Sequence, residues 1–279
     1  MTRDAVARAP GRQDPVAVTD SGWATGVSTR PSVWITQVLT LTDFFYSKDT
    51  MRYSDCNGPK GQGECVTVDS RIFPYSECYC ADGWYGAQCQ HQTTWGPGLA
   101  RQFNREDFRE VSLGGEVELL WRVTDSTDLE IIMTAPTLSW VGLGWRPANT
   151  DISCRDFPAG LGQYRDRTLH PMDCMDIVLG AARGGLGRVA DYYTRDRSTP
   201  RLDSVWGGKD DILSSSAWEE DGKTVMRFVR AMAGGDEADH DIGGNMMIIW
   251  AHGQQSSFYQ EDQLKFHSKP FSGISAIGK

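Results

Sequence analysis

Glu116-Val117-Glu118-Leu119-Leu120-Trp121-Arg122-Val123 decides the fold class. Val117, Leu119, Trp121 and Val123 recur every second residue. Side chains of an extended chain alternate between faces, so these four line one side of a strand. Alternating or strand-length apolar runs return at 129–134, 138–145, 175–180, 188–193, 212–219, 224–230 and 246–251. Asp125-Ser126-Thr127, Glu220-Asp221-Gly222-Lys223 and Gly234-Gly235-Asp236 punctuate them. Glu-Asp-Gly-Lys between two alternating runs predicts a hairpin. No long stretch carries a helical period and no internal repeat is present. The region 96–270 therefore reads as all-β, a β-sandwich of short strands.

The chain has 279 residues, which as a soft prior suggests two domains. Its 28 Lys and Arg against 37 Asp and Glu give a net charge of −9. That balance argues against nucleic acid and against anionic membrane surfaces, both of which reward positive patches. The densest apolar run, Met246-Met247-Ile248-Ile249-Trp250-Ala251, is strand-sized. Spanning a bilayer takes roughly 20 apolar residues. Ten tryptophans point to a substantial packed core or a large apolar pocket.

Five of the seven cysteines crowd between Cys56 and Cys89; Cys154 and Cys174 stand apart. Crowded, irregularly spaced Cys among Gly and Pro indicate a disulfide framework and an oxidising, extracellular or cell-surface setting. No paired zinc-ligand spacing is present. Residues 1–30 hold no continuous apolar stretch of signal-peptide type and read as disordered. The chain is thus expected to be an internal piece, or one with a misplaced start. Residues 31–52 stay unassigned between strand and short helix. A Cys-rich module is expected over 53–92, the sandwich over 96–270 with Gly96-Pro97-Gly98 as connector, and a tail over 271–279. Cys154 and Cys174, the only cysteines of the sandwich region, are expected to be bridged; closing such a loop contributes about 3 kcal/mol in the chain-entropy picture.

Cys80-Ala-Asp-Gly83-Trp-Tyr-Gly86-Ala-Gln-Cys89, preceded by Cys78, has the spacing C-x2-G-x2-G-x2-C. It resembles the C-terminal half of an EGF-like module. The resemblance implies a Cys80–Cys89 bridge and, by analogy, Cys56–Cys78. Cys65 is left over: a thiol, a partner for something outside the module, or the sign of a missed segment. A structural staple without chemistry is the expected role of this module. Asp49 and Asp55 do not reproduce the acidic pattern of calcium-binding members. Asp236-Glu237-Ala238-Asp239-His240-Asp241 lacks EF-hand spacing and reads as a solvated loop. No calcium is expected.

Hydrolase and metalloprotease signatures are absent: there is neither G-x-S-x-G nor H-E-x-x-H. Gly142-Leu-Gly144-Trp-Arg-Pro147 ends an alternating strand and is not a dinucleotide loop. Gly180–Gly187 lacks the Gly-Lys-Ser/Thr of a P-loop. What remains is an ordered series. It runs from Trp140-Val-Gly-Leu-Gly-Trp-Arg-Pro through Met172-Asp-Cys-Met-Asp-Ile-Val-Leu-Gly and Asp191-Tyr-Tyr to Thr199-Pro-Arg-Leu-Asp203. Asp221-Gly-Lys-Thr-Val-Met-Arg-Phe-Val-Arg230, Ile248-Ile-Trp-Ala-His-Gly253 and Leu264-Lys-Phe-His267 complete it. The series resembles a DOMON domain. The resemblance implies an immunoglobulin-like β-sandwich and, in the haem-binding members, haem b held between the sheets by an axial Met and an axial His.

Carried over residue by residue, the ligands to the haem iron are Met172, with Met175 as rival, and His267, with His252 as rival. Cleft walls are expected from Trp140, Leu143, Trp145, Tyr192 and Trp250, because a haem face needs apolar cover. An imidazole and a thioether close the coordination of the iron and favour electron transfer over oxygen chemistry. The implied function is an extracytoplasmic haem b electron-transfer module rather than a catalyst in its own right, with a redox partner such as a transmembrane b-type cytochrome. The alternative is a haem-free module for an extracellular ligand or for adhesion, with Trp206 or Trp218 stacking on sugar rings. A third reading is a non-catalytic neighbour of a copper monooxygenase, since no His-rich copper motif is present.

Overall fold

The computed structural model describes residues 53–68, 75–125, 127–157, 168–197 and 199–253. The expectations for residues 1–52, for His267 and for the 271–279 tail lie outside these. Two antiparallel sheets face each other. In the first, the order is β1 (Gly63–Val68), β2 (Tyr75–Cys80), β10 (Leu186–Thr194), β9 (Met175–Arg183), β8 (Trp140–Pro147) and β14 (Met246–His252), with β11 (Arg201–Leu202) paired to β10. In the second, it is β12 (Ile212–Glu220), β13 (Lys223–Ala231), β7 (Asp128–Ala135), β6 (Val117–Thr124) and β5 (Arg109–Leu113). A separate ribbon joins β3 (Trp84–Tyr85) to β4 (His91–Gln92). The fold is an all-β sandwich with a disulfide-rich N-terminal segment.

Alternation sorts the core. Leu119 of β6, Ile131 and Met133 of β7, and Met226 and Phe228 of β13 point inward from the second sheet. Val141, Leu143 and Trp145 of β8, Val178 of β9 and Ile248 of β14 meet them from the first. The Trp145 and Phe228 rings stack across the gap with centroids 6.4 Å apart. Gly180 marks how closely the sheets approach: a Cβ there would lie 2.6 Å from the Met226 sulfur. The space between the sheets is filled with side chains.

The outer face of the second sheet is also covered. Leu120, Ile132, Trp218 and Val225 pack with Phe108 and Phe103. Beside them Arg227 is buried against Glu130, donating from Nε to Oε1 at 2.7 Å and from Nη1 to the Ala100 carbonyl at 2.6 Å. The Trp95 ring lies 4.1 Å from its guanidinium carbon. These contacts hold the chain on both sides of Gly96-Pro97-Gly98 against the sheet, while Pro97 and Gly98 themselves are exposed.

Cys56 is bonded to Cys78, Cys80 to Cys89, and Cys154 to Cys174. The Cys65 sulfur lies 3.0 Å from that of Cys56. The Cys-rich segment is joined to the sandwich by more than its connector. The β1–β2 hairpin extends the first sheet, with Cys80 opposite Gly187 of β10, and Arg188 reaches Glu77 at 3.0 Å.

Gly187 also sets how closely β10 approaches β12 of the facing sheet. A Cβ there would sit 2.2 Å from the Ala217 carbonyl oxygen and 2.9 Å from its nitrogen, and backbone cannot step aside. Overpacking of this kind costs about 1–3 kcal/mol. Gly187→Ala is expected to lower the thermal midpoint by several degrees. Gly243→Ala, where nothing lies within 4 Å of the new methyl, should leave it unchanged.

Candidate functional site

One face of the sandwich stays apolar without a strand layer over it. On the outer side of the first sheet, Met175 and Ile177 of β9 and Ile249 of β14 are buried, and Met172, Leu179 and Tyr192 pack on them half-buried. Alternation puts Trp140, Gly142 and Gly144 of β8 on this same side. The two glycines carry no side chain, and their neighbours lean over them. A Cβ on Gly142 would meet Leu179 at 2.6 Å, and one on Gly144 would meet Ile177 and Ile249, each at 2.9 Å. Arg188 donates to the Tyr192 hydroxyl at 2.8 Å.

Met172 is held at the rim of this face. Its N–H donates to His170 Nδ1 at 3.3 Å and its carbonyl accepts from Thr194 Oγ1 at 2.5 Å. Two residues later Cys174 is tied to Cys154.

The expected cleft walls do not share one space. Trp140 and Tyr192 lie with Met172 on the outer face. Leu143 and Trp145 point inward and belong to the core, with Trp250 packed against it. Trp140 and Trp145 are five residues apart on one strand, so a single cleft cannot use both. Between the sheets, the stacked Trp145 and Phe228 rings occupy the space.

The rivals separate as well. His252 pairs with Val141, which pairs with Gly180. Met175 lies five residues earlier on β9, roughly 16 Å along the strands. His252 also shares inward parity with Ile248, so it cannot face Met172 or Met175. Met175 is fully buried, whereas Met172 is half-buried. The tryptophans suggested for sugar stacking are engaged. Trp218 is buried, and Trp206 donates from its indole nitrogen to the Tyr193 carbonyl at 3.1 Å.

A second constellation escaped the sequence reading. Asp176 and Asp191 sit at inward positions of β9 and β10, at the end of the sandwich where helix α1 (Asp203–Trp206) and the 234–241 loop close over them. Arg230 of β13 donates from Nη1 to both Asp176 oxygens, at 3.1 and 2.9 Å, and from Nη2 to Asp239 at 3.0 Å. Asp239 also accepts from the N–H groups of Gly235 and Asp236. Asp203 is 1% exposed and neither of its carboxylate oxygens has a hydrogen-bond partner; one Asp191 oxygen is in the same state. Carboxylate oxygens of Asp191, Asp203 and Asp239 lie within 4.8 Å of one another, as do those of Asp211, Asp236 and Asp239. The readable signal was a charged residue at core parity, Asp176 in register with Val178 and Asp191 with Val189.

Electrostatics follow from that crowding. Burial, then the charges of Asp176, Asp239 and Asp236, push the Asp203 carboxyl up to about 9. Burial outweighs Arg230 at Asp176, which stands at about 7. Asp191 is raised well above the usual carboxylate range, by burial first and Asp176 second.

The fold and this outer face define an antiparallel β-sandwich with a methionine at the rim of an apolar patch. Comparison with protein families makes that more specific: residues 160–253 match the model of the DOMON domain. The match covers the part that contains β9 to β14. No curated protein matches the chain.

The acidic end gives a pH dependence of definite sign. Asp203 titrates near 3.8 when unfolded and at about 9 when folded. Between those values the folded chain keeps a proton that the unfolded chain has released, so stability falls as pH rises through the window. The groups facing it are Asp176, Asp191, Asp236, Asp239 and Arg230. In chelator-treated buffer, urea midpoints are expected to fall steadily from pH 5 to pH 9.

Proposed function

We propose that this chain is an extracytoplasmic haem b electron-transfer module of DOMON type, with the haem on the outer face of the first sheet and Met172 as one axial ligand. The observation that carries this reading is the position of Met172. It is a half-buried methionine at the rim of an apolar patch made by Met175, Ile177, Leu179, Tyr192 and Ile249. A haem face needs such apolar cover, and a thioether packed on the same patch is a soft donor that could reach over the face to iron. His267, fourteen residues past Gly253, is the proposed second ligand; a chain of that length can return across the sheet.

Bound there, haem would supply a one-electron iron couple with Met/His ligation, which leaves no open coordination site and raises the potential. The chain's own residues do the rest. His170 Nδ1, Thr194 and the Cys154–Cys174 bridge hold the Met172 backbone and so fix the point from which its side chain starts. Ile177, Leu179 and Ile249 exclude water from the patch, and Tyr192 with Arg188 gives it a polar border. The disulfides support the extracellular setting, and among the described residues no helix is long and apolar enough to cross a membrane. A redox partner such as a transmembrane b-type cytochrome suits this role. The C-x2-G-x2-G-x2-C spacing supports an EGF-like staple in front of the module.

One observation favours the haem-free alternative, a module for a small extracellular ligand. The bed over Gly142 and Gly144 is already covered by Ile177, Ile249 and Leu179. An absorption spectrum of the purified chain with added haemin decides between the two. The haem reading expects a low-spin spectrum that His267→Ala abolishes. Met172→Ala should retain haem weakly, lose the low-spin bands and lower the potential. If the wild-type chain gives no low-spin spectrum with haemin, the electron-transfer reading fails and the haem-free one stands.

A further inference from the structure

We propose that Asp191, Asp203 and Asp239, with Asp211 and Asp236 beside them, bind a divalent cation of the calcium class at the end of the sandwich. The cluster of acids is one observation. The second, independent of it, is that Asp203 is 99% removed from solvent with both oxygens unpartnered, and that Asp191, 2% exposed, has one oxygen unpartnered. A buried carboxylate without donors is costly to ionise, so it is either protonated or ligated. The nearest cation of the protein is spent: Arg230 already serves Asp176 and Asp239.

Oxygen spacing favours ligation. Ligand atoms around one calcium ion stand about 2.3–2.6 Å from it, so opposite ligands lie at most about 5 Å apart. The oxygens of Asp191, Asp203 and Asp239 fall within 4.8 Å of each other. All donors are carboxylate oxygens, which suits a hard cation. The imidazole that could have softened the site is turned away, with His240 Nε2 on the Cys174 carbonyl at 2.7 Å. Magnesium prefers strict octahedral geometry and retained waters, which a dry, crowded set of acids serves poorly. Asp211 and Asp236 are only half-buried and provide the way in from solvent.

This departs from the expectation of no calcium, which rested on the missing EF-hand spacing of residues 236–241. The ligands are not contiguous: they come from β10, from α1, and from the segments on either side of β12 and β13. A bound cation would tie these together and, through His240 and Cys174, brace the segment that carries Met172.

The test uses the full chain, stripped with chelator and then titrated with calcium chloride or magnesium chloride at pH 7.5 and constant ionic strength. Calcium is expected to raise the thermal midpoint by several degrees in a saturable, concentration-dependent way, with a smaller shift for magnesium. Asp203→Asn, neutral and nearly isosteric, should melt higher than wild type in chelator yet lose the calcium shift. Asp191→Asn serves the same purpose if the first variant does not fold. A wild-type chain without a calcium shift and without binding heat would overturn the proposal, leaving a protonated Asp203. So would a calcium shift that survives both substitutions, which would assign it to surface carboxylates.

Discussion

Arg230 sits inside the sandwich at 1% exposure, and the arrangement around it depends on satisfying that one charge. Its guanidinium leaves β13 in the second sheet and reaches both carboxylate oxygens of Asp176 of β9 in the first from Nη1, while Nη2 donates to Asp239. Trp145 lies 4.8 Å from it and gives it an aromatic face. Stranding such a charge by removing its partner typically costs about 3–5 kcal/mol. The planar fork also has direction, so it sets how β13 and β9 lie across from one another where apolar packing alone tolerates sliding. Asp239 extends the grip to the 234–241 loop, and the remaining acids gather because that end is closed and dry.

Arg227 is the counterpart on the other side of the same strand. One residue parity away from Phe228, it points outward and is buried only because residues 95–103 lie over it. Two arginines three positions apart therefore do opposite jobs. Arg230 joins the two sheets, and Arg227 fastens the connector to the back of the second sheet. With the interior filled and that back covered, the outer side of β14, β8, β9 and β10 is the apolar surface left for a ligand among the described residues.

Strand identity was legible where one face is buried and the other is not. All eight runs read from alternation became strands, because Val117, Leu119 and their equivalents could only be satisfied by a sheet. β5 was missed: Arg109-Glu-Val-Ser-Leu carries two charges at its start and gains its apolar contacts only from its partner. The hairpin β1–β2 was hidden by its own cysteines, which read as a loop framework. The site was harder, since the walls were chosen for being aromatic rather than for their side of the sheet. Parity along β8 alone separates Trp140 from Trp145. Placing Tyr192 beside Met172 needs the β9–β10 register, a long-range fact that no local pattern holds. Asp176 and Asp191 stood out only by core parity, and their gathering with Asp203 and Asp239 needs the same long-range register.

Cys80 occupies two roles at once. It is half of a disulfide, and it is the residue through which the Cys-rich hairpin meets β10. A sheet margin left uncovered offers its free N–H and C=O groups to any passing strand. Here the cover over that margin is secured by sulfur chemistry, since Cys56–Cys78 and Cys80–Cys89 hold the hairpin and its flank in shape. Formation of these two bonds thus completes the sheet as well as stapling the segment in front of it. A chain kept reduced would leave that margin less firmly covered, so its resistance to strand addition is tied to the redox conditions under which it folds.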